Sequence, residues 1–432
     1  MFLIFYELLL WLLALLALPK MIYGLIFQNK YRNNLLERFG CNFPKLHKTQ
    51  NQFPIWIHAV SVGETLAVAS LARELKKQHP QATLIISSTT ETGHAEAQRS
   101  LPFADHHVYL PLDFAWLVRK ILKAVAPKLV VICESDFWFN FLYYAKKNGA
   151  TLALVNGKLS ERSMHRLHFF STFSKRLFGL FDLMCVQNEL YSERFIVAYA
   201  PKNKIVITGN LKLDADVKPL AANEEDSWRA KLGIQNDHTI LTIGSTHNPE
   251  EKEILEILKN LWQSIPNFQV LLVPRRPETF KTVAALLDKS GLAWVSFTNI
   301  EQRTGKEKVV LMDTMGLLRT CYQISDIAIV GGSFIKHVGG HNILEPSYYG
   351  RPVLFGPHME SQRELVDLVV SYGAGQQVKH TSELEKILEL WLRDPHAPQK
   401  IGAQGRLLSS SLKGSKGRTL QALASISPLN SI

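Results

Sequence analysis

The sequence predicts an α/β protein made of two doubly wound parallel sheets, and three observations predict it. Short apolar runs recur along the chain, each ending in Gly, Ser, Thr, Asn or a charged residue and each followed by a helical pattern; parallel strands joined by crossover helices read this way. The same grammar restarts after a polar break at residues 214–226. At 432 residues the chain exceeds one comfortable core and suits two of roughly 200 residues each. The organisation expected is an anchor at 1–27, a first domain at 28–213, a linker at 214–226 and a second domain at 227–432. The last helix of the second domain is free to pack back on the first.

The N-terminus states a location. Met1 to Pro19, MFLIFYELLLWLLALLALP, is apolar apart from Glu7, and Met21 to Phe27 extends it. Lys20, Lys30, Arg32 and Arg38 follow the run and no basic residue precedes it, which places the body of the chain on the cytoplasmic side. A cleaved signal peptide needs a basic start and a small-residue cleavage site, and neither is evident. The expectation is a single N-terminal signal-anchor that crosses the membrane as a transmembrane helix; the rival is a helix lying in the membrane surface, for which Glu7 and the short apolar length argue.

Pro54 to Val60 reads as the first strand, turning at Ser61, Val62, Gly63 and Glu64 into a helix from Thr65 to Gln78. Glu64 is either a general base exposed at a strand's carboxyl end or a helix N-terminal residue favoured by the dipole. Thr83 to Ser88 is the second strand, followed by a polar loop at 89–93, and Val108 to Pro111 the third. Leu129 to Cys133 is the fourth and ends at Glu134, a second carboxylate just past a buried strand. Thr151 to Val155, Leu183 to Val186 and Ile205 to Thr208 complete the first sheet, the last running into Gly209, Asn210, Leu211 and Lys212. Lys212 is a candidate to stabilise a leaving phosphate, with a solvated surface lysine as the plainer alternative.

In the second half, Ile240 to Ile243 runs into Gly244, Ser245, Thr246 and His247. Gln269 to Val273 runs into Pro274, Arg275 and Arg276, a credible phosphate clamp or a solvated basic edge. Val309 to Met312 leads to Asp313, Thr314, Met315 and Gly316 and a helix from Leu317 to Gln323. The densest chemistry follows, in IVGGSFIKHVGGHNILEPSYYGRPVLFGP from Ile329 to Pro357. An apolar run ends at Gly331 and Gly332. Gly339 and Gly340 then lead to His341 and Asn342 as caps of a helix from about Ile343, with Glu345 in its first turn. Helix starts attract phosphate, and a first-turn carboxylate can accept two ribose hydroxyls; the bland alternative is an ordinary βα turn with a dipole-favoured Glu.

A hydrophobic content of 46% and a charged content of 20% suit a globular chain. The net charge of +11 asks for an acidic partner. Basic residues are scattered with no Arg/Lys tract interleaved with aromatics, so an anionic membrane or phosphorylated substrate is expected and nucleic acid is not. The four cysteines, Cys41, Cys133, Cys185 and Cys321, are widely spaced, which excludes a disulfide framework and a zinc site and fits a reducing compartment. His337 and His341 straddle two glycines and make no helical metal pair.

HAVSVGE at His58–Glu64, the loop after Glu134, NGKLSERS at Asn156–Ser163, GNLK at Gly209–Lys212, GSTH at Gly244–His247, VPRRPE at Val273–Glu278, DTMG at Asp313–Gly316 and GGHNILEP at Gly339–Pro346 together resemble the Kdo transferases of lipid A biosynthesis over nearly the whole length. The resemblance implies a GT-B fold, two Rossmann-like doubly wound domains facing a cleft, and an inverting, metal-independent glycosyltransferase without a cofactor. It implies transfer of 3-deoxy-manno-octulosonic acid (Kdo) from CMP-Kdo to a tetraacylated lipid A precursor at the bacterial inner membrane, with no obligate protein partner. By the same resemblance Glu64 is the general base, Glu134 and Lys212 stabilise the transition state, and CMP is held by Pro274, Arg275, Arg276, Met315, Gly316, Leu317, Leu318, Asn342, Ile343, Leu344 and Glu345.

The chain departs from the pattern at Arg276, where His is usual, at Gly157, where Ala is usual, and at Leu317, where Glu is usual. It also reads SDFWFNF after Glu134 in place of TELWPNL. The neighbouring expectation is an enzyme of the same fold acting on a UDP-sugar, as transferase or epimerase.

Overall fold

A computed structural model of the chain describes residues 2–27, 35–41, 43–44, 53–214, 219–235, 237–394 and 396–426. Lys30 and Arg32 of the basic flank, and 215–218 of the polar break, lie outside them. The chain divides into two compact units, one of Met1–Ala215 with Leu412–Ile432 and one of Asp216–Ser411.

Unit 1 carries strands β1 (Pro54–His58), β2 (Thr83–Ser88), β3 (His106–Tyr109), β4 (Leu129–Cys133), β5 (Thr151–Gly157), β6 (Leu183–Val186) and β7 (Ile205–Ile207). They form one parallel sheet in the order β3-β2-β1-β4-β5-β6-β7. Every residue of β4 is buried, as a strand covered by helices on both faces must be. The two faces are filled by separate clusters, one around Trp56, Ile132 and Phe141 and the other around Ile57, Val131 and Leu71. The helix Ser415–Ile426 belongs to this unit: Leu423 is buried in the second cluster, and the carboxylate of Asp214 accepts the N–H groups of Gly414 and Lys416 at the helix start. Gly209, at φ +93°, allows this approach; a β-carbon there would lie 2.2 Å from Ser415 Oγ.

Unit 2 repeats the plan with β8 (Thr239–Thr246), β9 (Phe268–Pro274), β10 (Trp294–Ser296), β11 (Val309–Leu311), β12 (Ile327–Val330), β13 (Val353–Phe355) and β14 (Gly375–Gln377), all parallel in the order β10-β11-β9-β8-β12-β13-β14. In each sheet the winding reverses beside the first strand, between β1 and β4 and between β8 and β12. Loops diverge at such a switch point, and the crevice beyond the strand ends receives ligands.

Several sequence expectations are corrected. The helix expected from Thr65 begins at Val62, because Ser61 accepts the Glu64 N–H and serves as its cap. The polar loop at 89–93 is already a helix from Glu91, capped by Thr90. The helix expected from Ile343 is a single turn, Leu344–Tyr348, with Ile343 at the cap position and the Asn342 carboxamide accepting the Leu344 N–H at 3.0 Å. Strands β10 and β14, three residues each, carry too little apolar pattern to have been read.

Glu250 holds the switch point of unit 2 together. Its carboxylate accepts the N–H groups of His247 after β8 and of Gly332 and Phe334 after β12. Gly331 packs against it so closely that a β-carbon would lie 2.6 Å from Oε1. Burial raises the Glu250 carboxyl to about 7. A carboxyl raised above its unfolded value binds its proton more tightly when folded. The stability it contributes is therefore complete at low pH and lost as pH rises through about 7. Glu250→Gln is expected to remove that slope between about pH 4.5 and 7 in thermal melts recorded as a pH series, and to cost about 1–3 kcal/mol because a carboxamide nitrogen must face backbone N–H donors. Parallel slopes in variant and wild type would refute the assignment.

Candidate active site

In unit 1 the two carboxylates read from sequence stand at the switch point. Glu134 is the first residue past β4, with φ +64°, a left-handed conformation that turns the side chain back over the sheet end. It is 5% exposed. Lys212 Nζ lies 2.5 Å from Oε1 and Lys158 Nζ 2.8 Å from Oε2, so the buried carboxylate is matched by two ammonium groups. Asn156, at φ +53°, donates to Oε1 at 3.4 Å and through its own Oδ1 accepts the Leu211 N–H at 2.9 Å. One side chain thereby joins the ends of β4 and β5 to the loop that carries Lys212.

Glu64 stands beside this cluster, in the first turn of the helix after β1. Its carboxylate accepts the Val60 N–H at 3.0 Å and the Ser61 hydroxyl at 3.1 Å. The dipole-and-cap reading is therefore structurally true of Glu64, and it does not exhaust the residue. Burial raises its carboxyl above the usual range, the cap N–H from Val60 opposes that, and the charge of Glu134 adds to it. Gly63 brings the turn against the cluster: a β-carbon there would lie 3.5 Å from Lys212 Nζ. The assembly is a half-buried carboxylate with raised proton affinity next to two lysines, which suits removal of a proton and stabilisation of negative charge.

In unit 2 the basic residues line two cavities beyond β8, β9 and β12. The larger, about 840 Å³, is bounded by His247, Arg275, Arg276, Met315 and His341 among others. The smaller, about 250 Å³, is bounded by Ser245, Pro274, Arg275, Met315, Gly316, Leu318, Arg319 and Glu345. Arg275 and Met315 are shared. Leu317 is half-buried against the core around Leu271 and Met312, and Ile343 and Leu344 are fully buried, so their side chains bound neither cavity. Asn342 is exposed and closes the turn before Leu344. Glu345, raised by burial, is held partly down by Arg319, 3.6 Å away.

Sequence reading left out Lys158, Asn156, His247 and His341 as site residues. The two imidazoles stack with Nε2 atoms 2.8 Å apart, so one donates to the other and they are not both protonated. Burial, His247 and Arg275 push His341 down to about 4. Its place one position past β5 was the available signal for Lys158. Nothing local predicts the His247–His341 contact, since 94 residues separate the pair.

The family of 3-deoxy-D-manno-octulosonic-acid transferases (kdotransferases) matches residues 33–215. A 3-deoxy-D-manno-octulosonic acid transferase from Chlamydophila psittaci is 33% identical over 408 residues, which cover 94% of this chain and 92% of that one. The chain belongs to this family. A relative of the same description from Haemophilus influenzae is 32% identical over 401 residues, covering 91% of each. As a Kdo transferase the chain is a glycosyltransferase of GT-B fold. The fold reaches further: a UDP-GlcNAc 2-epimerase from Neisseria meningitidis, bound to UDP-GlcNAc, matches 87% of this chain and 100% of its own with a TM-score of 0.55 and 15% identity.

A neutral His341 beside His247 and Arg275 gains proton affinity if an anion enters the cavity. In proton NMR the His341 ring, assigned by loss of its signals in His341→Gln, is expected to titrate near 4 in the free chain and higher once phosphate or a nucleotide monophosphate is bound. A free-chain midpoint near the ordinary value of about 6.5 would contradict the buried pair.

Proposed function

We propose that this Kdo transferase moves Kdo from CMP-Kdo to a tetraacylated lipid A precursor in lipopolysaccharide synthesis, one or more units at a time, with inversion and without a metal. The observation that carries the reading is the charge arrangement of unit 1, where Glu64 with raised proton affinity adjoins the Glu134–Lys158–Lys212 cluster. Glu64 takes the proton of the acceptor hydroxyl as its oxygen attacks the anomeric carbon of Kdo. The bond from that carbon to the CMP phosphate breaks with its electron pair, and CMP departs carrying the negative charge. Glu134 and Lys212 stabilise the charge that develops, and Lys158 completes the neutralisation of Glu134.

Unit 2 holds the donor in this reading. Arg275 and Arg276 face the phosphate, Glu345 accepts the ribose hydroxyls, and Pro274, Met315, Gly316 and Leu318 surround the base and sugar. Leu317, Asn342, Ile343 and Leu344 contribute through the turns they shape. Arg276 replaces a usual His by a permanent charge, and Leu317 removes a usual carboxylate, so this donor site is more cationic than the family pattern. No group of three or more His, Cys, Asp or Glu side chains able to hold a metal gathers among the described residues. The N-terminal helix, with a mean hydropathy of 2.3 over Phe2–Pro19, fits attachment to the inner membrane with the body on the cytoplasmic side. The acceptor is itself an anionic lipid.

The decisive assay supplies purified protein in detergent with the tetraacylated precursor and freshly generated CMP-Kdo, and reads the lipid by mass spectrometry. Mass increments of one or more Kdo are expected, and they persist in EDTA. An unchanged lipid with intact donor and folded protein would refute the reading and point to UDP-sugars. Glu64→Gln is expected to lower turnover at least ~100-fold with CMP binding retained. Arg275→Ala should weaken CMP about tenfold or more through loss of a charged hydrogen bond.

A further inference from the structure

Glu7, which breaks the apolar run of the N-terminal helix Phe2–Phe27, is turned into the protein. Both its oxygens accept the Ala115 N–H at 3.2 Å, and Asn140 Nδ2 donates to Oε2 at 2.9 Å. Ala115 opens the helix Ala115–Val125, whose own cap residue Phe114 supplies no side-chain bond, so Glu7 serves as that helix's cap from outside. One residue earlier, Tyr6 donates to Asp113 Oδ2 at 2.9 Å; Asp113 in turn accepts the N–H groups of Asn140 and Phe141 at the start of the helix Phe139–Lys147, again uncapped by its own Trp138. Phe2 meets Phe139 edge-on at 5.2 Å and Trp11 meets Phe114 at 4.6 Å. Phe2, Leu3, Tyr6, Glu7, Leu10 and Ala14 thus make a continuous stripe at helical spacing that is docked on unit 1.

The opposite side is bare. Ile4, Phe5, Leu8, Leu12 and Leu15 are each more than half exposed. Three flanking helices, Ala115–Val125, Phe139–Lys147 and Ser171–Gly179, contain no Asp or Glu, while Arg119, Lys120, Lys123, Lys175 and Arg176 are exposed on two of them. An apolar ridge bordered by cations alone complements an anionic lipid surface.

A crossing helix does not fit the docked stripe. The bilayer core of ~30 Å takes about 20 residues to cross. Residues 15–19, which follow the docked part, are exposed, and from residue 15 to its end at Phe27 the helix is about 20 Å long at ~1.5 Å per residue, with Lys20 in its sequence. Sinking residues 2–14 instead would drag the body and its basic side chains into hydrocarbon. We propose that the N-terminal helix lies in the plane of an anionic leaflet, clamped to unit 1 by Tyr6 and Glu7 along one side and immersed in lipid along the other, and does not cross the membrane. This rests on the membrane reading given above and fixes its geometry. The clamp makes the helix part of the folded body, so the enzyme meets the membrane in one orientation.

The test places a nitroxide at Ile4, Leu8, Leu12 or Leu15, each through a single cysteine in a Cys41→Ser background, and measures depth by oxygen and nickel accessibility on vesicles containing phosphatidylglycerol. The four positions lie along one stripe. A helix in the plane gives one common depth within ~5–10 Å of the headgroups. A crossing helix gives a gradient of about 16 Å over those eleven residues, which would overturn the proposal. An N-terminal epitope tag reports independently: recognition in inverted membrane vesicles only is expected, and recognition on intact spheroplasts overturns it. A chain that does not float with vesicles and instead self-associates through this ridge overturns the membrane reading as well, and flotation separates the two failures.

Discussion

A carboxyl group at 5% exposure paired with two lysines is the constraint on which unit 1 depends. Glu134 is tolerated there because Lys158 and Lys212 reach it from different loops. Removing one partner from such a buried pair commonly costs ~3–5 kcal/mol. The pairing therefore dictates the left-handed turns at Glu134 and Asn156, the path of the 209–212 loop, and through Gly209 the seat of the C-terminal helix. The charge that organises the sheet end is also the charge that chemistry at this place would use, so fold and proposed catalysis make one demand on the same residues.

The same device recurs wherever backbone ends would otherwise be orphaned. Asp182 accepts the Leu152 N–H at the start of β5, and Asp326 accepts the Ile240 N–H at the start of β8. Glu250, Asp113 and Glu7 do so at loops and helix starts. Each carboxylate satisfies donors that a local cap does not. Because the partners are remote in sequence, these contacts couple helices and strands that hydrophobic packing alone would leave free to slide.

The sheets were legible because a buried parallel strand writes its period plainly: LVVIC and TLIISS have the bounds expected of them. Glu64, Glu134 and Arg275 were singled out because each follows an apolar run at a turn, and Glu345 because it falls in the first turn of a helix after two glycine pairs. What escaped was set by distance. The stacking of His247 on His341, the pairing of Lys158 with Glu134 and the capping of a distant helix by Glu7 depend on loops meeting in space, for which periodicity carries no signal. The start of the helix at Val62 escaped for a different reason: Ser61 and Glu64 form a local cap whose members also read as a catalytic turn. The cap is what the geometry shows of this carboxylate, and the catalytic role is the proposal made for it.

The two units divide the electrostatic work. Unit 2 offers two arginines beside imidazoles whose proton affinity is lowered by burial and by those arginines. Unit 1 offers a carboxylate whose proton affinity is raised by burial and by a neighbouring carboxylate, next to ammonium groups already committed to that neighbour. The carboxylate of raised proton affinity lies in unit 1 and the arginine pair in unit 2. In the proposed transfer the base belongs to unit 1 and the donor clamp to unit 2, and a lipid acceptor adds the need for a fixed approach to the membrane. The Tyr6 and Glu7 clamp meets that need by making the membrane-facing helix rigid with the unit that carries the proposed base.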